Sequence, residues 1–367
     1  MERRFTTNND FVGMAAKVTI VYFINSLNVG GAEVGMCRLL CGLEEQNYDV
    51  TLVALDGRSS GVSDQIPSWV NVIRLQPSPK KVPQMCWVIL RSILNADIIV
   101  GSLFHSATVA RLAGLVNQSA TVATWHHANL FESNVRRFGF KLTAPLADVI
   151  LADSEPVAEM LTSNLGLDND LVHTVPIAGI NLDDYEHKRH RNTSVIKVGT
   201  IGRLTKQKNH NMILNIAEKV DNSAFQFELA GDGELYSELQ EAIHDRNLTN
   251  VTLHGFIDNV PSFLGEIDIY LQPSRWEGLC ITVLEAMATG LPIVGSDIGG
   301  IGRNVEDGVS GYLCKPDDIN GFVSGIRTLS RDANQRQEFG DRGRNIVEER
   351  FTQNVLVREF ENAIRTQ

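Results

Sequence analysis

The sequence predicts an α/β protein built from two Rossmann-like domains. The chain has 367 residues, which fits two domains of about 150–200 residues better than one ordinary core. In both halves, short apolar runs typical of buried strands alternate with segments whose apolar residues have helical spacing. The charged, non-periodic stretch 183–194 separates the two series and predicts the interdomain linker.

These patterns divide the chain into five segments. Residues 1–16 are polar and lack the apolar region of a signal peptide, so we expect a flexible tail, and Met14 could be the natural start. A first domain over 17–182, the linker, a second domain over 195–350 and a C-terminal helix over 351–367 follow.

The composition argues against several classes of protein. The formal net charge of −11 argues against general nucleic-acid binding. The five cysteines form no C-x-x-C pair, so we expect buried thiols in a reducing compartment. No uninterrupted apolar stretch is long enough to predict a membrane-spanning helix.

The first domain begins with an expected strand, a glycine loop and a helix. The strand covers 17–25, the loop contains Gly30 and Gly31, and the helix covers 32–43. Such a turn suits an anion, but the G-x-G-x-x-G spacing of a dinucleotide site is absent. A tight strand–helix turn without a ligand explains the two glycines equally well. A second strand is expected over 49–55.

Two basic segments follow in the same half. Residues 76–95 combine Lys80, Lys81 and Arg91 with many apolar residues, and the next basic group contains Arg136, Arg137 and Lys141. A basic, aromatic-bearing helix can lie on an anionic membrane, although such a helix more often only covers a sheet.

A histidine pair ends the expected strand 120–125. Open α/β sheets bind ligands at the carboxyl ends of their strands, so His126 and His127 are candidate site residues, with His105 a weaker one. Neighbouring side chains point apart and no further ligand has suitable spacing, so we expect no metal. The D-x-D at 168–170 has turn composition and predicts a solvated loop.

The second domain places two cations after its first strand, expected over 195–204. Arg203 and Lys208 flank the loop that follows, where a guanidinium and an ammonium suit a diphosphate. An ordinary loop with carboxylate partners is the alternative interpretation.

A later strand, turn and helix unit carries two glutamates. We expect the strand over 267–272 and the helix over 279–288, with Glu277 in the turn and Glu285 two turns inside the helix. The free N–H groups at the helix start make an anion site. For two isolated glutamates, a helix-terminal acid and a solvated side chain would be the simpler interpretation.

The segment EGLCITVLEAMATGLPIV resembles the signature of the retaining, nucleotide-sugar-dependent glycosyltransferases of the "group 1" family. That family has the GT-B architecture, in which two Rossmann-like domains face each other across a cleft. The resemblance implies that Glu277 contacts hydroxyls of the donor sugar, that Glu285 binds the ribose, and that the amides of Leu279 and Cys280, after Gly278, hold the diphosphate.

Other motifs extend the resemblance over nearly the whole chain. The family pattern G-R-L-x-x-x-K matches Gly202 to Leu204 with Lys208, and T-x-H matches Thr124 to His126, implying a cleft histidine that contacts the sugar. His127 stands where many relatives carry Asp, so the choice between the histidines stays open. Further implied positions are the cleft loop Gly30–Gly31, the base-pocket border Gly255–Phe256, and Gly299–Gly300, after which Arg303 replaces a common Glu.

By this resemblance, the protein transfers a sugar with retention from a nucleotide diphosphate sugar, most commonly a uridine diphosphate sugar, without a metal or other cofactor. His126, Glu277, Arg203 and Lys208 are the expected catalytic residues. The implied acceptor is a glycan or lipid-linked glycan of cell-surface polysaccharide assembly. The implied location is the cytoplasm, with peripheral contact to an anionic membrane.

Three alternatives remain open. They are a sugar-nucleotide 2-epimerase of similar outline, a non-catalytic sugar-nucleotide-binding protein, and a phosphorylase. The last would need a pyridoxal-binding lysine and a longer chain.

Overall fold

Two parallel β-sheets form the centres of two α/β domains. The computed structural model describes residues 17–128, 131 and 133–365, so the expected N-terminal tail lies outside the described residues. The first sheet has the strand order β3-β2-β1-β4-β5-β6-β7 and the second β10-β9-β8-β11-β12-β13. The strands are β1 Val18–Ser26, β2 Tyr48–Asp56, β3 Asn71–Arg74, β4 Ile98–Ser102, β5 Thr121–His126, β6 Val149–Ala152, β7 Val172–Thr174, β8 Ile196–Ile201, β9 Phe225–Ala230, β10 Val251–Gly255, β11 Ile269–Gln272, β12 Ile293–Ser296 and β13 Gly311–Cys314.

The α-helices up to residue 304 lie in the connections between parallel strands, and the last three follow β13. The helices are α1 Gly31–Gly42, α2 Val82–Ile93, α3 Phe104–Gly114, α4 Asn134–Thr143, α5 Glu155–Glu159, α6 His210–Ala217, α7 Tyr236–Asp245, α8 Val260–Glu266, α9 Ile281–Thr289, α10 Gly299–Asn304, α11 Ile319–Arg331, α12 Ala333–Arg350 and α13 Gln353–Arg365.

The register of the first sheet sorts its side chains onto two faces. Val21 pairs with Ile99, which pairs with Val122, so these residues share one face. Helices α2, α3 and α4 pack on that face. The alternate residues, including Tyr22 and Val100, form the core of the other face beneath α1 and α13.

The chain crosses between the domains at two adjacent places. The Ile180 N–H donates to Phe351 O at 2.8 Å, and the Gln353 N–H donates to Ile180 O at 3.1 Å. After the second crossing, α13 packs on the first domain, where Phe360 stacks on Trp125 with ring centroids 5.8 Å apart.

The linker between the domains lies against the second one. No helix or strand covers 185–194, but its backbone is bonded: the Lys188 N–H donates to Thr289 O at 2.8 Å, and Arg336 Nη2 donates to Arg191 O at 2.7 Å. This first connection between the domains is therefore held in place by the second domain.

Several details differ from the sequence predictions. Strand β5 extends through His126, one residue further than expected, and α9 begins at Ile281, so Glu285 lies one turn inside it and not two. Cys41 and Cys86 are exposed, contrary to the expectation of buried thiols.

The segment 168–170, predicted as a solvated loop, is exposed and enters a single turn of 3-10 helix, Asn169–Leu171, where the Asp170 N–H donates to Asp168 Oδ1 at 3.1 Å. Within the described ranges, no three His, Cys, Asp or Glu side chains are grouped to hold a metal ion. No helix in that part of the chain is both long and apolar enough to cross a membrane.

Candidate active site

The Glu277 carboxylate is held by three polar side chains at the carboxyl edge of the second sheet. It lies in the turn between β11 and α9 and is only 4% exposed. Its Oε1 accepts from Ser274 Oγ at 2.7 Å and lies 2.8 Å from Lys208 Nζ, while Oε2 accepts from Gln207 Nε2 at 3.3 Å. These partners satisfy the buried carboxylate and fix its orientation.

The Lys208 side chain extends from the loop after β8 to the start of α9. Burial disfavours its charged form, but the neighbouring Cys280 and Glu277 outweigh this and raise the pKa of Lys208. Its Nζ lies 3.8 Å from Cys280 Sγ. Lys208 is therefore a cation at neutral pH, placed beside the N-terminus of a helix.

The start of α9 offers free hydrogen-bond donors. Cys280, just before the helix, has a left-handed backbone with φ of 59°. The amide groups of Leu279 and Cys280 donate no hydrogen bond to another described residue. An anion bound here would meet these amides, the positive end of the helix dipole and Lys208 together.

Arg203 lies on the cleft side of the same loop. Arg203 is exposed. It lies close enough to Glu33 of α1 to influence the pKa of that carboxyl group. Burial raises the pKa of Glu33, whereas the charges of His127 and Arg203 oppose that rise. Arg203 thus faces the first domain across the cleft.

Glycines let the two domains come close at this point. A Cβ on Gly278 would lie 2.2 Å from His127 O, and one on Gly31 would lie 3.6 Å from Ile281 Cδ1. Gly299 has φ of 45°, and its Cβ would lie 2.1 Å from Glu277 O. Only glycine fits at 278 and 299, which explains the glycines of this segment.

Glu285 has a partner in the other domain. Its Oε1 lies 2.5 Å from Arg38 Nη2 of α1 and accepts from the Tyr185 hydroxyl at 3.1 Å. The first-domain glycine loop and Glu285 therefore border the same interdomain space.

The His126 ring packs inside the first domain, whereas the resemblance implied a histidine that faces the cleft. As the last residue of β5, it shares the face of Val122 and packs its ring against Phe131 and Phe140, at centroid distances of 5.1 and 5.0 Å. The residue is partly buried, but its Nε2 is fully buried and has no hydrogen-bond partner among the described residues. Desolvation, followed by the nearby charges of His127 and Arg111, lowers its pKa to about 3.

His127 occupies the position expected of the cleft histidine. Its Nε2 is 2.7 Å from Ser102 Oγ and its Nδ1 is 3.6 Å from Asp153 Oδ2. Burial raises the pKa of Asp153, and Glu277 adds to this, while His127 lowers it. Ser102, His127 and Asp153 stand at or just beyond the carboxyl ends of three neighbouring strands, β4, β5 and β6.

The remaining predicted residues lie in both domains. The Gly202 N–H donates to Ala230 O at 3.0 Å, and the Gly231 N–H donates to Gly255 O at 2.7 Å, so these glycines form one edge. Phe256 follows with its side chain exposed. Gly30 precedes α1, and its Cβ would lie 2.5 Å from Glu33 Oε2. Arg303, the departure from the family pattern, pairs with Glu159 of α5 at 2.6 Å.

Sequence reasoning missed several residues of this site. Asp153 directly follows β6, as His127 directly follows β5. Its place at the end of a strand could therefore have identified it as a candidate site residue. Arg38, Tyr185 and Glu33 had no such signal, because their contacts join segments far apart in the sequence.

Two facing α/β domains with these polar groups at the carboxyl edges of their sheets define the GT-B class. Residues 183–346 match the family described as glycosyl transferases group 1, and residues 29–183 match glycosyltransferase family 4. Together the matches cover 29–346. The second half of the chain is thus similar to the group 1 glycosyltransferases, and the first half is similar to glycosyltransferase family 4.

Relatives and solved structures agree with this assignment. An uncharacterized glycosyltransferase of Methanocaldococcus jannaschii is 26% identical over 210 residues, 57% of each chain. The N-acetylgalactosamine-N,N'-diacetylbacillosaminyl-diphospho-undecaprenol 4-alpha-N-acetylgalactosaminyltransferase of Campylobacter jejuni is 24% identical over 346 residues, 88% of this chain and 93% of that one. Anabaena HepE in complex with UDP-glucose has the same fold, with a TM-score of 0.81 at 19% identity over 95% of this chain and all of that one.

Proposed function

We propose that the protein is a retaining glycosyltransferase that uses a uridine diphosphate sugar to extend a glycan or lipid-linked glycan of a cell-surface polysaccharide. The observation that carries this proposal is the buried pair of Lys208 and Glu277, 2.8 Å apart beside the free amides that begin α9. This arrangement offers an anion site and a sugar-binding carboxylate side by side.

The cations would stabilise the leaving group. When the bond between the anomeric carbon and the phosphate oxygen breaks, negative charge develops on the diphosphate. Lys208, Arg203 and the amides of Leu279 and Cys280 would face that charge, which is the electrostatic work that a metal does in other enzymes. The proposed reaction therefore needs no metal.

Retention is proposed to arise from attack on the face that the diphosphate leaves. Both oxygens of Glu277 already have partners in Ser274, Lys208 and Gln207, which suits a carboxylate that binds sugar hydroxyls better than a covalent nucleophile. The acceptor hydroxyl would form the new bond to the anomeric carbon, and its proton would pass to an oxygen of the departing diphosphate.

The relatives support the proposed substrates. The Campylobacter enzyme is named for a diphospho-undecaprenol-linked substrate, and HepE was solved with UDP-glucose. We therefore propose a uridine diphosphate sugar as donor and a lipid-linked acceptor at the inner face of the cytoplasmic membrane.

One experiment tests these points together. The purified protein is incubated with a panel of uridine and guanosine diphosphate sugars, with and without lipid-linked acceptors and with a chelator, and the product linkage is determined by NMR. We expect an acceptor-dependent product that keeps the donor's anomeric configuration. A new sugar nucleotide formed without acceptor would instead identify an epimerase, and binding without any product would identify a non-catalytic protein.

A further inference from the structure

The first domain contains a long stretch that is almost free of acidic residues. Residues 65–147 hold two acids, Asp97 and Glu132, in a chain whose formal net charge is −11. The same stretch holds eight basic residues, namely Arg74, Lys80, Lys81, Arg91, Arg111, Arg136, Arg137 and Lys141. Helices α2, α3 and α4 all lie within it and contain no Asp or Glu.

These three helices form one layer on one face of the sheet. Asn117, just after α3, donates from Nδ2 to the Ile93 and Ala96 carbonyls at the end of α2, at 2.7 and 2.9 Å. On its other side, α3 reaches α4, where Arg111 Nη1 donates to Thr143 Oγ1 at 3.1 Å. We call the outward side of this layer the three-helix surface.

The three-helix surface exposes many large apolar side chains. Trp87 is 57% exposed and Phe138 is 69% exposed. In α2 the exposed positions follow the spacing 87, 90, 94, and in α4 they follow 135, 138, 142, which in each helix is one outward stripe. Of the fourteen exposed large apolar side chains in the described part of the chain, these helices and the residues just after them hold ten: Val82, Trp87, Leu90, Leu94, Leu112, Leu115, Val116, Val135, Phe138 and Leu142.

Basic side chains accompany the apolar ones. The Arg91 guanidinium lies over the Trp87 ring, 5.3 Å from its centroid, and Lys141 is exposed beside Leu142 on α4. Aromatic and aliphatic groups that enter a lipid interface, with cations that meet its phosphates, are the mixture that interfacial helices use.

We propose that the three-helix surface binds an anionic lipid bilayer. Its charge is complementary to such a membrane. A symmetric contact with a second copy would bring the same cations face to face, which like-charge repulsion disfavours. Helix α4 begins at Asn134, a few residues after His127, so a bound bilayer lies next to the cleft. This inference rests on the proposed function only for the lipid-linked acceptor, since vesicle binding needs neither donor nor acceptor.

The test is co-sedimentation of the full chain with vesicles. Phosphatidylcholine vesicles are compared with vesicles that also contain phosphatidylglycerol, at low and high salt. We expect partition to rise with phosphatidylglycerol and to fall with salt, because charges near an anionic surface are screened. Arg91→Glu with Lys141→Glu should reduce partition by roughly tenfold or more, and Trp87→Ser with Phe138→Ser should reduce it at both salt concentrations.

Matched changes on the second domain provide the control. Val309 and Lys315 are both exposed, so Val309→Ser with Lys315→Glu alters the same types of residue elsewhere and should leave partition unchanged. Equal partition to both kinds of vesicle, or equal losses in the control, would overturn the proposal. A dimer of the wild-type chain in light scattering that Trp87→Ser with Phe138→Ser dissociates would assign the surface to self-association instead.

The same variants separate this inference from the proposed function. Sugar transfer to a water-soluble acceptor does not require the surface and should persist in them. If the protein binds vesicles but transfers no sugar, the lipid-binding proposal stands and the enzyme assignment is rejected. If it transfers sugar but binds no vesicles, the enzyme assignment stands and the lipid-binding proposal is rejected.

Discussion

Arg38 and Glu285 form an ion pair that joins the two domains, with Nη2 and Oε1 2.5 Å apart. Arg38 also donates from Nη1 to Ala178 O at 2.8 Å, in the segment that leads to the first crossing. Both side chains are largely buried, so water competes little with the ion pair. The carboxylate that is predicted to bind the donor ribose is thus already oriented by the opposite domain.

Removing either partner should destabilise the protein, because the remaining charge stays buried without its counter-ion. We expect Arg38→Ala and Glu285→Ala each to lower the free energy of unfolding by about 3 kcal/mol. The double variant should lose less than the sum, with a coupling energy of about 1–3 kcal/mol. Urea unfolding of the four proteins measures this, and Arg38→Lys, which keeps the charge, should lose less than Arg38→Ala. Strict additivity would show that the pair contributes no interaction energy.

Glu285→Ala should also weaken donor binding. Buried ribose hydroxyls would lose a charged acceptor, which is typically worth about 1.5–3 kcal/mol. Calorimetry with the uridine diphosphate sugar measures the affinity, with Glu306→Ala, an exposed site on the second domain, as a control that should bind normally. Donor affinity that survives in Glu285→Ala would reject the ribose assignment.

Arg203→Ala and Lys208→Ala should both reduce turnover severely, but only Lys208→Ala should reduce stability. Arg203 is exposed, whereas removing Lys208 leaves the buried Glu277 without its cation. Melting temperature and turnover are measured for both, with activity repeated in a chelator. We expect the chelator to have no effect. Activity lost in the chelator and restored by a divalent ion would refute the metal-free scheme.

The alternation of strands and helices was predictable because each unit carries its own signal. Strand β1 was expected over 17–25 and is Val18–Ser26. Lys208 and Glu277 were each predicted from a local motif, but the sequence did not show that they contact each other. The pair of Arg38 and Glu285 spans 247 positions, and no periodicity records such a contact.

The choice between His126 and His127 depended on whether β5 ends at residue 125 or at residue 126. Side chains alternate along a strand, so extending β5 through His126 turns that ring toward Phe140 and leaves His127 for the cleft. The end of a strand is set by pairing with a neighbouring strand, and here His126 pairs with Ala152. The sequence around His126 does not record that pairing.

His126 should make the folded state sensitive to acid. Its ordinary pKa of 6.5 is lowered to about 3 by burial, so between these values the unfolded chain binds a proton that the folded chain does not. Stability is therefore fully present above pH 6.5 and falls as the pH drops, by about 1.4 kcal/mol per pH unit for this group. Urea unfolding at pH 7.5, 6.0 and 5.0 should show a shallower loss in His126→Leu than in the wild type. The exposed His105→Leu is the control, and identical slopes in all three proteins would contradict the buried, neutral imidazole.

His127→Ala should reduce sugar transfer far more than nucleotide binding. The ring lies between Ser102 and Asp153 on the first domain, whereas the diphosphate is assigned to the second, so the histidine can act only on the sugar or acceptor. Losing one positioned polar group in a closed site typically costs on the order of 10²-fold in rate, about 2.7 kcal/mol. Turnover, affinity for free uridine diphosphate and melting temperature are measured for His127→Ala, His126→Ala and Asp153→Asn. We expect His126→Ala to lose mainly stability. Asp153→Asn should keep its stability, because burial raises the pKa of Asp153 and so disfavours its charge, but should lose turnover with His127. If His126→Ala were the inactive variant and His127→Ala were active, the observed orientation of the two rings would not be the one used in catalysis.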